Sequence, residues 1–412
     1  MKKKVIAIVL AIALVAAIAV GLVACNKQQA EEKAAFGGFK PVAKSDLKFG
    51  LITLHDSTST YDKNFIDALN EVKTTLGLSN DQVIVASGIE EGDGCYQKAC
   101  ELAEAGCNII FADSFGHEDY MIKAAKQYPN VRFAHATGTQ AHTELLPNFY
   151  NAFASIYEGR YLAGVAAGLK LQAMGKTDAP NIGYVGAYTY AEVISGYTSF
   201  YLGVKSVVPS VTMDVQFTGS WFDPTAENAA ATNLINNKHC VLISQHADSM
   251  GAPNACKEAG VPNVTYNVST KNECPDSYLI GSRINWAPYY TYLINCTLNG
   301  VTAVGFDWVG GFAEESVELL EINDAVAAPG TEEYLETVAL ELASGARHVF
   351  DVNNFKVGGK TLTEYLADVD SDAAFAKDTQ VILDGQFVES LYRSAPYFDV
   401  QIDGITLLNA VF

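Results

Sequence analysis

The stretch LISQHADSMGAP, residues 242–253, sets an imidazole, a carboxylate and a hydroxyl within four positions at the end of an apolar run. His246, Asp248 and Ser249 are the residue types of a hydrolase, and Gln245 adds an amide. Nucleophilic catalysis needs a nucleophile beside a base that a third group orients. Asp248, two residues after His246 in one short loop, is badly placed to hold the imidazole and still leave Ser249 accessible, and no G-x-S-x-G elbow occurs elsewhere. Metal chemistry gains no support either, because His55, His117, His135, His142 and His246 are dispersed and no H-E-x-x-H pair is present. Recognition uses the same groups differently. Gln and His supply both donors and acceptors, and a carboxylate facing an amine makes a charge-assisted hydrogen bond. The expectation is a binding loop with no catalytic residue, no metal and no cofactor.

Such a loop needs a scaffold, and the hydrophobic pattern describes one. Strand-length runs LKFGLITL, QVIVASG, CNIIFAD and VRFAHATG alternate with segments of helical period such as NFIDALNEVKTTLGL and YQKACELAEAG. After the long amphipathic segment SIYEGRYLAGVAAGLKLQAMG the alternation restarts with NIGYVGA, VTMDVQF, HCVLISQ and PNVTYNV. Alternation at this spacing implies right-handed βαβ units and parallel sheets covered on both faces, in two similarly built lobes. Gly159, Gly164 and Gly168 fall inside a helical period, so they are expected to permit close helix packing, not to form a phosphate loop.

In parallel sheets of this kind ligands bind beyond the carboxyl ends of the strands. The residues expected there are Tyr61 and Phe115 from the first array, and Trp221, Gln245, His246, Asp248, Asn267 and Trp286 from the second. Rings beside amides and carboxylates suit a flat, hydrogen-bonding ligand, stacked on its faces and read along its edges. Of Tyr61 and Phe65, four apart on one helix face, one is expected in the cleft and the other in the core. Each feature also has a plainer reading: a tryptophan is ordinarily packing, and Asp223-Pro224 reads as an N-cap followed by proline at the first helical position.

The 412 residues, 49% hydrophobic and 18% charged, are enough for two cores. Lys2, Lys3 and Lys4 followed by the apolar run Val5 to Val20 form a secretory signal. An uncleaved membrane anchor is the alternative, since a span needs about 20 apolar residues. Leu22-Val23-Ala24-Cys25 resembles the lipobox of bacterial lipoproteins, which would make Cys25 the lipidated first residue of the mature chain. The expected organisation is signal peptide 1–25, tether 26–45, first lobe 46–155, second lobe with its crossover helix 156–285, shared hinge-returning segments 286–345 and a C-terminal appendage 346–412 packed on a lobe. The seven cysteines after Cys25 are scattered and odd in number, which suggests thiols over a disulfide framework. A net charge of −20 without clustered Lys and Arg argues against nucleic acid as a partner. A monomer is expected.

The runs FADSFGHEDYMIKAAKQYPNVRFAHATG, YEGRYLAGVAAG, SWFDPTAENAAA, SQHADS and NWAPYY, in this order, resemble the basic membrane lipoprotein family of ABC importer solute-binding proteins. The likeness spans about residues 47–345, and Trp-Phe-Asp-Pro with Gln-His-x-Asp resembles its purine-binding branch. The resemblance implies an α/β, two-lobed type I periplasmic-binding fold, each lobe a doubly wound parallel sheet. It implies no catalysis, capture of a purine base or nucleoside, delivery to an ABC permease with its ATPase, and a lipid-anchored extracytoplasmic location. The family's nucleoside binders hold the ribose with an aspartate and a lysine, near whose places this chain has Asn267 and Arg283. That departure favours a free base such as adenine. A sugar-binding protein of the same fold, a nucleoside-cleaving enzyme and a purely structural lipoprotein stay open as rivals.

Overall fold

The structure, a computed structural model, describes residues 38–369 and 376–412. The signal region, Cys25 and the tether up to residue 37 lie outside the described residues. The first lobe is built from β1 (Phe49–Ile52), α1 (Thr60–Leu76), β2 (Val83–Ala86), α2 (Asp93–Glu104), β3 (Ile109–Ala112), α3 (Glu118–Gln127), β4 (Arg132–Ala136), the single turn α4 (Ala141–Glu144) and β5 (Phe149–Ala154). The chain then crosses in α5 (Ile156–Ala173). The second lobe follows as β6 (Asn181–Gly186), α6 (Ala191–Val207), β7 (Thr212–Phe217), α7 (Pro224–Asn236), β8 (Ile243–His246), α8 (Gly251–Ala259), β9 (Asn263–Tyr266) and β10 (Tyr278–Ile284). Next, α9 (Ala287–Asn299) and β11 (Asp307–Gly310) return to the first lobe. Finally β12 (Val317–Leu319) re-enters the second lobe and α10 (Thr331–Ala343) packs against α5.

The two sheets repeat one topology. The first has the order β11-β5-β4-β3-β1-β2, the second β12-β10-β9-β8-β6-β7 with Ile405–Leu407 added beside β7. Every pairing is parallel except β10 with β12. In each lobe the strand order reverses between the first and third strands, β1/β3 and β6/β8. Connections leave to opposite faces at such a point and open a crevice beyond the strand ends, where ligands bind in folds of this class. The inner strands are short apolar runs buried on both faces, as parallel sheets require, with β1 and β3 wholly buried, whereas β2, β7 and β11 nearer the sheet edges are partly exposed.

The crossover glycines serve packing, as expected. A Cβ on Gly164 would lie 2.1 Å from the Phe200 carbonyl oxygen, and one on Gly203 2.1 Å from that of Tyr161, so α5 and α6 approach at backbone distance. The appendage is more deeply built in than a surface addition: Phe350, Phe355, Phe387 and Phe398 belong to the second lobe's core. The seven cysteines after Cys25 form no disulfide among the described residues, and no described helix is long and apolar enough to cross a membrane.

Candidate functional site

The loops that leave β1, β3 and β4 in the first lobe and β6, β7 and β8 in the second, around the two reversal points, enclose a cavity between the lobes. It holds about 400 Å³ of non-atom space, some of it open to solvent. The first lobe lines it with Leu54, His55, Tyr61, Asp62, Ser114, Phe115 and Thr137, and the second with Glu192, Trp221, His246 and Asp248.

The first jaw is internally tied. Ser59 caps α1, and its hydroxyl donates to Asp62 at 2.5 Å while the His55 amide donates to the same carboxylate at 2.7 Å. Burial is the largest single influence on the Asp62 carboxyl and raises its pKa, but those donors, with the His55 ring, outweigh it and hold the group below its usual value. Tyr61 donates to the Asp113 carbonyl at 2.9 Å, which fixes its ring at the cavity wall. Phe65, one helical turn on, is fully buried. Phe115 stands 43% exposed on a loop whose Ser114 and Gly116 both donate to Glu91.

The second jaw is less satisfied. His246 Nε2 donates to Glu192 at 3.2 Å, and burial lowers the imidazole pKa, keeping the ring neutral. Its Nδ1 is buried without a partner, with Gly196 close beside it. Asp248 is 4% exposed and lines the cavity, yet its carboxyl accepts no hydrogen bond and meets no cation within ion-pair distance among the described residues. Burial first, then the neighbouring carboxylates Glu227, Asp62 and Glu192, push its pKa well above the carboxylate range. A carboxyl group presents one O–H donor and one acceptor side by side when protonated and two acceptors when ionised, and either edge can be read by a heterocycle carrying matching groups on adjacent atoms. The Trp221 carbonyl accepts from the Asp248 amide at 2.9 Å, locking the two loops together. Glu227 braces both from below, accepting from the Asp223 and Ser249 amides at 3.2 Å each. No lysine or arginine is among the residues lining the cavity.

Contacts across the cleft show the lobes closed on one another. The Thr60 amide donates to the Asp248 carbonyl at 2.8 Å, and His55 faces Phe222 and Phe115 faces Tyr190, each with ring centres 5.5 Å apart.

Five of the eight expected site residues thus meet at one cavity: Tyr61, Phe115, Trp221, His246 and Asp248. Three do not line it. Trp286, expected in the cleft, is wholly buried in the first lobe, stacked on Phe65 at 4.4 Å and edge-on to Phe111. Gln245 turns away from the cavity, because alternation on β8 sends it opposite to His246; its amide oxygen accepts from Asn263 at 2.8 Å and its carbonyl from Arg160. Asn267, held at φ +66°, reaches across the lobes to Asn64 at 3.5 Å. Arg283 is engaged by Glu318 at 2.7 Å. Asp223 is the N-cap of α7, accepting from the Thr225 and Ala226 amides, and Ser249 accepts from the Gly251 amide where α8 begins.

Glu192, Asp62 and the aromatic cluster of Tyr188 and Tyr190 beside Trp221 were not singled out from the sequence. Their signal was present: Tyr188-Thr189-Tyr190-Ala191-Glu192 directly follows NIGYVGA, the second lobe's first strand.

With that geometry in view, similarity to known proteins becomes informative. The family model described as ABC transporter substrate-binding protein PnrA-like (Bmp) matches residues 52–341. The chain belongs to this family. It is therefore an ABC transporter substrate-binding protein, whose partners are a small-molecule ligand and the permease and ATPase subunits of an importer, and which works outside the cytoplasm. A protein of Brucella abortus named purine-binding protein is 32% identical over 72% of this chain and 78% of its own length. An ABC transporter protein of Haloferax volcanii named for glucose binding, TsgA13, is 32% identical over 60% of this chain and 61% of its own. Among solved structures, an ABC transporter solute-binding protein from Conexibacter woesei superposes with a TM-score of 0.60 at 18% identity, covering 73% of this chain and 98% of that one, a likeness of fold.

Proposed function

We propose that this Bmp-family protein captures a purine base or nucleoside and is held at the outer face of the membrane by a lipid on Cys25. The observation that carries the ligand class is the pairing of ring faces with a hydrogen-bonding edge in one cavity. Tyr61, Trp221 and Phe115 supply apolar faces, while His246 and Asp248 supply a hydrogen-bonding edge. A carboxyl group without a protein partner inside a closed cleft is costly unless the ligand completes its hydrogen bonds. A flat heterocycle with adjacent donor and acceptor atoms does so and fills the space between the rings. The name of the Brucella abortus relative points the same way.

Sugar capture is the second reading. Aromatic faces with carboxylates also bind hydroxyl-rich rings, and the Haloferax volcanii relative is named for glucose binding. Thermal-shift and calorimetric titration of residues 26–412 with purine bases, nucleosides, pentoses and hexoses separates the two. Stabilisation by purines alone supports the proposal, and stabilisation by sugars alone overturns it. The binding role carries no turnover, so ribose release from nucleosides over hours in the same samples would overturn that claim. Globomycin-sensitive processing, with labelling by a radioactive fatty acid that is lost in Cys25→Ala, tests the anchor.

A further inference from the structure

We infer that the segment 389–398 of the C-terminal arm is an inter-lobe latch that holds the binding cleft closed through Ser394 and Asp307. The arm lies beyond the segment matched by the family model, which ends at residue 341. Both sides of Ser394 are anchored in the second lobe. Glu389 accepts from Ser195 of α6 at 2.5 Å, and Phe398 stacks on Phe350 with ring centres 4.4 Å apart. Further on, Ile405–Leu407 pairs with β7. From this base the short loop between Glu389 and Phe398 reaches over to the first lobe. There the Ser394 amide and hydroxyl both donate to Asp307 Oδ1, at 2.7 and 2.6 Å. Asp307 opens β11, the edge strand of the first sheet, and His142 of the same lobe stands 3.3 Å from its other oxygen.

The geometry makes this contact sensitive to opening. Ser394 is four residues from Phe398, so its reach from the second lobe is bounded at about 14 Å. Asp307 precedes by three residues Gly310, whose carbonyl accepts from the Ser155 amide at the lobe crossing. It therefore sits on a lever arm of roughly 10 Å from that crossing. A hinge rotation of tens of degrees about such an arm moves Asp307 by several ångströms, enough to break both hydrogen bonds, which tolerate only tenths. Two short bonds to one carboxylate oxygen favour the closed state, in which dissociation is slowest. This inference rests on lobe closure as the capture step and not on the identity of the ligand.

The test measures opening directly and dissociation separately. Cysteines replacing exposed Glu71 and Glu258, one on each lobe, carry a fluorescent pair in a Cys100→Ser background, and energy transfer is recorded without ligand. Asp307→Ala is expected to shift the ligand-free population toward the longer distance. In stopped flow with adenine as the probe it raises the dissociation rate about ten-fold and leaves association within about two-fold. Asp307→Asn, which keeps an acceptor at Oδ1, recovers most of the loss. If Asp307→Ala does not fold, Ser394→Ala, which removes only the hydroxyl donor, is expected to give about a three-fold faster dissociation. An unchanged distance distribution in a folded Asp307→Ala protein overturns the latch, and so does an Asp307→Asn protein as impaired as the alanine variant. Should adenine bind to no variant, the purine reading fails while the ligand-free distances still judge the latch.

Discussion

Two loops of this protein look alike in sequence and end in different worlds. Thr218 to Pro224 and Asn285 to Pro288 each follow a strand, carry a tryptophan and lead into a helix whose first turn contains proline. Trp221 lies half-buried at the cavity, touched edge-on by Tyr188 at 5.2 Å. Trp286 is sealed between Phe65, Phe111 and Phe153. The difference follows from which strand each loop extends. β7 lies next to β6, at the reversal in strand order, so its loop overhangs the crevice. β10 lies at the far side of the second sheet, and its loop carries the chain back into the first lobe. A tryptophan that begins a return crossing becomes core, whereas one at the crevice is left for a ligand.

Substitutions sharpen that contrast, beginning with the largest effect. Trp286→Ala should cost about 3–5 kcal/mol of stability, because a buried ring is replaced by a cavity. Chemical denaturation measures it, and a loss under about 1 kcal/mol would mean that the ring is not core. Next comes Glu227, the wholly buried brace beneath the Trp221 and Asp248 loops, whose pKa burial raises from 4.5 to about 7. Because its folded-state pKa is raised, its contribution is fully present below the unfolded value and is lost as pH rises through about 7. Glu227→Gln should therefore remove about 3 kcal/mol of pH-dependent stability between about pH 4.5 and 8 relative to the parent, from the roughly 1.36 kcal/mol that each unit represents. Equal slopes in the two proteins would refute that role. Trp221→Ala should barely move the melting temperature yet weaken ligand binding by about 1–2 kcal/mol in calorimetry, the reverse of Trp286→Ala. The smallest effect is expected from Gln245→Leu, which leaves affinity within about 0.5 kcal/mol because that side chain faces Asn263 and not the cavity. A ten-fold loss of affinity there would return Gln245 to the site.

Much of this was legible in one dimension. Strand-length apolar runs between segments of helical period gave the alternating strands and helices, the restart of the pattern gave two lobes, and the strand-end rule put Tyr61, Phe115, Trp221, His246 and Asp248 at the cleft. Glu192 and Asp62 were overlooked because acidic residues in the first turn of a helix ordinarily serve the helix dipole, and Asp62 does accept from its Ser59 cap.

Local patterning determined what each segment would become, because backbone hydrogen bonding and side-chain period are properties of neighbours in the chain. It also marked which residues end a strand. Only the tertiary structure decided which of those ends converge. Strand order, the direction of each crossing and the reach of the arm depend on contacts between residues far apart in sequence, such as Ser394 with Asp307 and Thr60 with Asp248. The hydrophobic effect that buries Trp286 is non-directional, so composition required that large rings be covered, and the packing of two lobes chose which one a ligand would cover instead.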